Sequence, residues 1–322
     1  MSNIRHPMSR RAGLAFAVLG EVRLWRDGVE VPLGPPRGRA LLAALLLREG
    51  APVDRDHILG GLWGDSFHVD GANLVQVYVS KLRRLLEPDR APRAAASLLP
   101  RVGNAYRLAV EADQWDLGCF QRARTEAREL RSAGRLAEAA RALGDAFALW
   151  PGPALTGVEG PLLDVERVRL AELRLAATEE HLELALETGA EDDVIPALLT
   201  LTREHPYRER LWALLMVALY RGSRQADALA AYRRAARALK DDLGLSPGPE
   251  LRRVEEAILA GVPSATLAAR PRAGSVRPPQ HRSGGAPGRP RLTLVHGTGG
   301  GATPSRGAAV PPYRARRLGD RH

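Results

Sequence analysis

The sequence predicts a mainly α chain in three parts: a small α+β head, an all-α body and a disordered tail. Three observations carry this. Charge is unevenly divided: residues 1–110 hold 16 Lys+Arg against 10 Asp+Glu (net +6), residues 111–264 hold 20 against 26 (net −6), and residues 265–322 hold 11 against 1 (net +10). Apolar residues of the middle stretch recur at helical spacing in three similar segments. The last 58 residues contain 10 Gly and 8 Pro, with no apolar period that could bury a core.

A chain of 322 residues with 45% apolar content can supply cores for two ordinary domains. The single cysteine, Cys119, cannot form an internal disulfide, reads as a small buried apolar residue and fits a reducing cytoplasm. Only Lys81 and Lys240 among the 47 basic residues are lysine, a usage that points to GC-rich coding DNA, as in actinobacteria. No run approaches 18 uncharged apolar residues, so no membrane span is expected.

The head opens on SRRAGLAFAVLG, which imitates a secretory or twin-arginine signal. Alternation of polar and apolar residues follows at once and no cleavage site is evident, so Leu14–Leu24 reads as a first strand. Val29–Leu33 reads as a second, across an RDG turn. RGRALLAALLLREG predicts a helix ending at Gly50, and VDRDHILGGLWG a second helix capped by Asp54. SLLPRVGNAYRLAV then places Gly-Asn between apolar runs and predicts a hairpin whose tip carries Arg101, Asn104 and Arg107.

Between these lies NLVQVYVSKLRRLL. Its valines alternate as in a half-buried strand, yet at about 100° per residue Val75, Val79, Leu82 and Leu86 fall on one stripe. One helix from Ala72 towards Pro88, with Asp70 as candidate N-cap, accounts for every residue, whereas a strand leaves KLRRLL without a consistent face. The opposite face and its flanks carry Asn73, Gln76, Val77, Ser80, Lys81, Arg83 and Arg84, with no acid between Gly71 and Leu86. Such groups suit phosphate oxygens and base edges in a major groove. A helix before and a basic hairpin after give the geometry of a winged helix-turn-helix. A solvated basic surface on a repeat-based scaffold, its winged helix binding protein, is the alternative.

In the body, RLAEAARALGDAFALWP (135–151), DDVIPALLTLTREHP (192–206) and RQADALAAYRRAARALK (224–240) each supply the second helix of a helical hairpin, after Gly134, Gly189 and Gly222. Small residues such as Ala139, Ala228 and Ala235 fall where helices cross, giving a tetratricopeptide-like body. The last two units are about 34 residues apart and the first two about 55, so some 21 residues around PALTGVEGPLLDVE are inserted. In the tail, HGTGGGA lacks the strand-turn-helix context of a phosphate or oxyanion loop and reads as linker. No spacing typical of a catalytic or metal centre occurs: catalytic residues, metal ligands and cofactors are expected to be absent.

These motifs carry a family resemblance. LGPPRGRALLAALLLREGAPVDRDHILGGLWG, NLVQVYVSKLRRLLEP and YRLAV resemble the OmpR-type winged helix. HPYRERLWALLMVALYRGSRQADALAAYRRAARALKDDLGLSPGPELRRVEEAIL resembles the bacterial transcriptional activation domain. In this order they resemble the Streptomyces antibiotic regulatory proteins, activators of secondary-metabolite gene clusters. The resemblance implies a DNA-binding domain over 14–110 and an activation domain over 111–260, while composition makes 261–322 a disordered basic tail. It implies a recognition helix with Val77 and Lys81 reading bases, Arg83 and Arg84 on phosphates, and Arg101 or Arg107 of the wing in the minor groove. The implied partners are promoter direct repeats in double-stranded DNA, a second copy on DNA, and RNA polymerase with its sigma factor, in the cytoplasm at the nucleoid. The sequence departs from the family in having Ala105 where a Gly usually precedes the wing tyrosine, and in lacking GxxxxGK[ST].

Overall fold

The computed structural model describes residues 6–64, 71–91 and 93–267. The predicted Asp70 cap, the HGTGGGA segment and the tail beyond Leu267 lie outside them; residues 261–267, expected to be disordered, instead pack on the body, where Leu267 is buried and its carbonyl accepts from Arg221.

The head begins with a three-stranded antiparallel sheet in the order β1 (Leu14–Ala17), β2 (Arg23–Arg26), β3 (Val29–Glu30). The expected single strand Leu14–Leu24 is thus two strands. The ladder stops after Ala17 because Val18 and Leu19 spend their N–H groups on the Asp116 carboxylate, at 2.9–3.0 Å. The Val18 carbonyl accepts from Leu155 N instead. Asp27 and Gly28, both at positive φ, make the tight β2–β3 turn.

Three helices follow: α1 (Pro36–Leu46), α2 (Arg55–Trp63) and α3 (Gly71–Leu86). Asp54 caps α2 as expected, its carboxylate accepting from Asp56 N at 2.8 Å. A second sheet, in the order β4 (Val53–Asp54), β6 (Ala105–Tyr106), β5 (Arg101–Val102), forms the wing. Gly103, at φ +61°, leads the two-residue turn. Ala105 is an ordinary ladder residue, opposite Val102 on one side and Asp54 on the other.

The body is three helical hairpins and a closing helix: α4 (Asp116–Ser132) with α5 (Leu136–Ala146), α6 (Pro161–Glu187) with α7 (Glu191–Glu204), α8 (Glu209–Arg221) with α9 (Gln225–Leu243), then α10 (Pro249–Leu259). Ala139, Ala228 and Ala235 are fully buried at the crossings. Gly134 and Gly189 turn at positive φ, but at the third hairpin Ser223 takes the left-handed conformation and Gly222 does not.

The insertion becomes a strap and a long helix. Residues 151–160 cross the head, Leu155 N and Thr156 N donating to the carbonyls of Val18 and Gly20 at 2.9 and 3.0 Å. Gly160 passes so close to α2 that a Cβ there would lie 2.9 Å from the Leu62 carbonyl oxygen. Helix α6, about 40 Å long by its 27 residues, packs against α1 and α2 at one end and α7 and α8 at the other. One apolar core accordingly runs from the head through α4, α5 and the middle of α6, across residue 110 without a break, and a second fills the hairpins from Leu182 to Leu267.

The joint between head and body centres on Asp116. The carboxylate is fully buried at the N-terminus of α4 and accepts from the N–H groups of Val18, Leu19 and Leu117. Burial raises its pKa to about 7 against the pull of those donors. His6, whose own pKa burial lowers, stacks on Trp25 at 5.2 Å with its Nε2 4.0 Å from the Asp116 carboxylate. Cys119 is half-buried, its Sγ 3.4 Å from the Asp113 carbonyl oxygen, and burial raises its pKa.

Candidate nucleic-acid interface

The alternating valines of α3 separate as a helix requires. Val75, Val79, Leu82 and Leu86 are buried against the head, whereas Val77 is 47% exposed. Around Val77 lie Asn73, Gln76, Ser80, Lys81 and Arg84, all exposed. Among the described residues none of their side chains has a hydrogen-bond or carboxylate partner. Lys81 has one neighbour: its Nζ sits 5.4 Å from the centre of the Tyr78 ring, which leans on Trp63 at 5.6 Å. The aromatic shelf holds the ammonium on the outer face without neutralising it.

Arg83 is placed differently from Arg84. Half-buried, it turns along the head surface, where its Nε donates to the Leu99 carbonyl at 3.0 Å and its guanidinium lies 5.8 Å from the Tyr106 ring. That commits it to the wing; Arg84 is the free arginine of the pair.

At the wing, Arg101, Asn104 and Arg107 are exposed and Val102, also exposed, forms an apolar edge near the turn. Arg101 Nε donates to the Gly103 carbonyl at 2.8 Å, folding the guanidinium back over the turn. Asn104 Nδ2 lies 3.4 Å from Asp54, tying the turn to the start of α2. The Arg107 backbone N donates to the Pro100 carbonyl at 3.2 Å, which fixes the strand while the side chain stays at the surface.

Two residues at this site escape a reading of the sequence. Arg26 of β2 donates from Nη2 to the Leu85 and Leu86 carbonyls, at 2.6 and 3.2 Å, satisfying acceptors that the end of α3 leaves open. Glu87, the first acid after the basic face, reaches forward to Ser97 and Leu98. Partners 59 and 10 residues away leave no local signal.

The chain has counterparts among known proteins. Residues 29–108 match the family described as "Transcriptional regulatory protein, C terminal", and residues 115–259 match "Bacterial transcriptional activator domain". Regulatory protein DnrI of Streptomyces peucetius is 30% identical over 252 residues, 76% of this chain and 92% of that protein. The chain belongs to the Streptomyces antibiotic regulatory protein family. This regulator is also 40% identical to Regulatory protein AfsR of Streptomyces coelicolor over 270 residues, 81% of its own length and 26% of AfsR. It thus spans about a quarter of that larger relative. Its fold matches the structure of Mycobacterium tuberculosis EmbR in complex with a low-affinity phosphopeptide, with a TM-score of 0.74, 36% identity, and coverage of 80% of this chain and 67% of that one. Among the described residues of the regulator, no helix is long and apolar enough to cross a membrane.

Proposed function

We propose that this regulator is a sequence-specific DNA-binding activator of a secondary-metabolite gene cluster, with residues 14–110 as DNA-binding domain, 111–260 as activation domain and 261–322 as a basic tail. The supporting observation is the outer face of α3: cationic, free of acids, exposed and, among the described residues, without hydrogen-bond or carboxylate partners. A solvated helix face ordinarily mixes signs and pairs them.

In this reading α3 lies in the major groove. Val77 contacts a thymine methyl, Lys81 donates to guanine, and Asn73, Gln76 and Ser80 supply neighbouring polar contacts. Arg84 takes a phosphate, and Arg101 or Arg107 enters the minor groove from the wing. Two copies occupy direct repeats about one helical turn apart, sharing a face of the duplex. The body then recruits RNA polymerase beside its sigma factor. The protein works at the nucleoid in the cytoplasm, with neither catalytic residues nor a cofactor.

Mobility shift with the upstream regions of neighbouring clustered genes tests this. The expected result is a discrete complex that weakens steeply with salt, by roughly 10³–10⁵ between 50 and 200 mM for six to ten phosphate contacts. Absence of a shift on every fragment at every salt concentration rejects the reading.

A further inference from the structure

We propose that Glu87, together with Arg83, clamps the wing to the recognition helix, so that helix and wing meet DNA as one rigid reader; Glu87 is a positioning residue. The inference rests on the DNA-binding reading above and deepens it.

The geometry points away from an ordinary helix end. Glu87 stands one residue beyond α3, and its Oε1 accepts from Ser97 N at 2.8 Å, Leu98 N at 3.1 Å and the Ser97 hydroxyl. One turn earlier Arg83 donates to the Leu99 carbonyl. Arg83 in the last turn of α3 and Glu87 just beyond it thus hold three successive residues, Ser97, Leu98 and Leu99. The described residues between Glu87 and Ser97 contain neither helix nor strand, so the covalent connection does not set where the wing begins.

Those three residues are where the wing is built. The Leu98 carbonyl accepts from Ala109 N at 2.8 Å, and the Pro100 carbonyl from Arg107 N at 3.2 Å. The positions of Arg101 and Arg107 follow from this frame. Leu99, fully buried, anchors it to the core shared with Leu82 and Leu86. The Glu87 side chain is only 12% exposed; its three hydrogen bonds all fall on Oε1, while Oε2 accepts none and lies 3.7 Å from Arg90 Nε, an ion pair without a hydrogen bond. Burial pushes its pKa up, but the Ser97 hydroxyl, the two N–H groups and Arg90 outweigh that and hold it below the ordinary value. A reader that engages two grooves at once needs its parts held to about 0.5 Å, which a free nine-residue connection does not provide.

The test has two arms on the full chain. In the first, amide hydrogen exchange of the free protein is compared among wild type, Glu87→Ala and Glu87→Gln. Glu87→Ala should raise exchange across 97–107 and leave α4–α10 unchanged. Glu87→Gln, which keeps an acceptor at Oε1, should restore much of the protection. In the second, a fragment shifted by wild type is footprinted with hydroxyl radical. Glu87→Ala should keep protection over the major groove, remove it at the flanking minor groove, and lower the salt slope by about 0.9 for each phosphate that the wing no longer neutralises. Wild-type exchange at 97–107 in Glu87→Ala, or an unchanged footprint and slope, overturns the clamp. Were wild type to bind no DNA, the functional reading would fall, while the exchange arm would still decide whether Glu87 holds the wing.

Discussion

Where α4 and the start of α8 meet α6, arginine is closed in by acids. Arg124 and Arg128 converge on Glu180, Arg131 spans Glu183 and Glu187, Arg208 spans Glu172 and Glu179, and Arg210 lies between Glu183 and Glu250. These pairs bind α4 and the start of α8 to α6, with Glu183 shared between Arg131 and Arg210. On α3, Lys81 and Arg84 have no carboxylate partner among the described residues and are exposed, and Arg83 is spent on a backbone carbonyl. The same side chain is therefore structural in one half and available in the other. What distinguishes them is the neighbour supplied by the fold, since net charge along the sequence only hints at it.

The largest effect that would test this contrast is in the body. Arg210 is 11% exposed and its Nη2 lies 2.6 Å from Glu183, itself buried. Arg210→Ala should cost about 2–3 kcal/mol of stability in urea unfolding, because it removes charge-assisted hydrogen bonds to Glu183 and Glu250 and leaves buried Glu183 with Arg131 alone. Folded Arg210→Ala protein should bind DNA as wild type does; a selective loss of DNA binding with unchanged stability would erase the distinction. Lys81→Ala should do the reverse, leaving the unfolding curve in place and costing about 1–3 kcal/mol at a single base pair in binding to operator variants. Equal weakening on every sequence would make Lys81 a phosphate contact.

Acid titration separates the halves again. Burial raises the pKa values of Glu180 and Glu183, but their arginines outweigh it and hold both below the ordinary carboxylate value. The folded state thus binds protons less readily than the unfolded chain. Stability from these pairs is complete above the unfolded value near 4.5 and is lost as pH falls through the lower folded values. Melting midpoints from pH 7 to 3 should show this loss, and Glu183→Gln should flatten the curve. Arg84→Ala should lower the salt slope of DNA binding by about 0.9 and leave base preference alone. The smallest effect belongs to Arg135, whose pairing with Glu138 is fully exposed: Arg135→Ala should leave the melting midpoint unmoved.

Most of the head and body is legible in the amino-acid pattern. The α3 stripe of Val75, Val79, Leu82 and Leu86 is a local period, and burial follows it residue by residue. The Asp54 cap and the Gly103-Asn104 turn are equally local. The first strand is not: the apolar run from Leu14 to Leu19 leads straight into the alternation of Glu21–Leu24, and the ladder breaks because a carboxylate 98 residues away takes the Val18 N–H. Ser223 replaces Gly222 at positive φ because closure of the α8–α9 turn, and not composition, selects the residue that bends.

For the candidate site, the exposed face of Asn73, Gln76, Val77, Ser80, Lys81 and Arg84 follows from helical geometry and the absence of acids, and the sequence alone determines it. Arg83 and Arg84 are adjacent and identical in type, so no sequence pattern separates the arginine that holds the wing from the one left free. Only the tertiary structure decides this: about 100° of helix turn puts one guanidinium against the Leu99 carbonyl and the other in solvent. Arg26 and Glu87 owe their places to the same cause. A periodic face is written in neighbouring residues, but a hydrogen bond between distant segments exists only once the chain has brought them together.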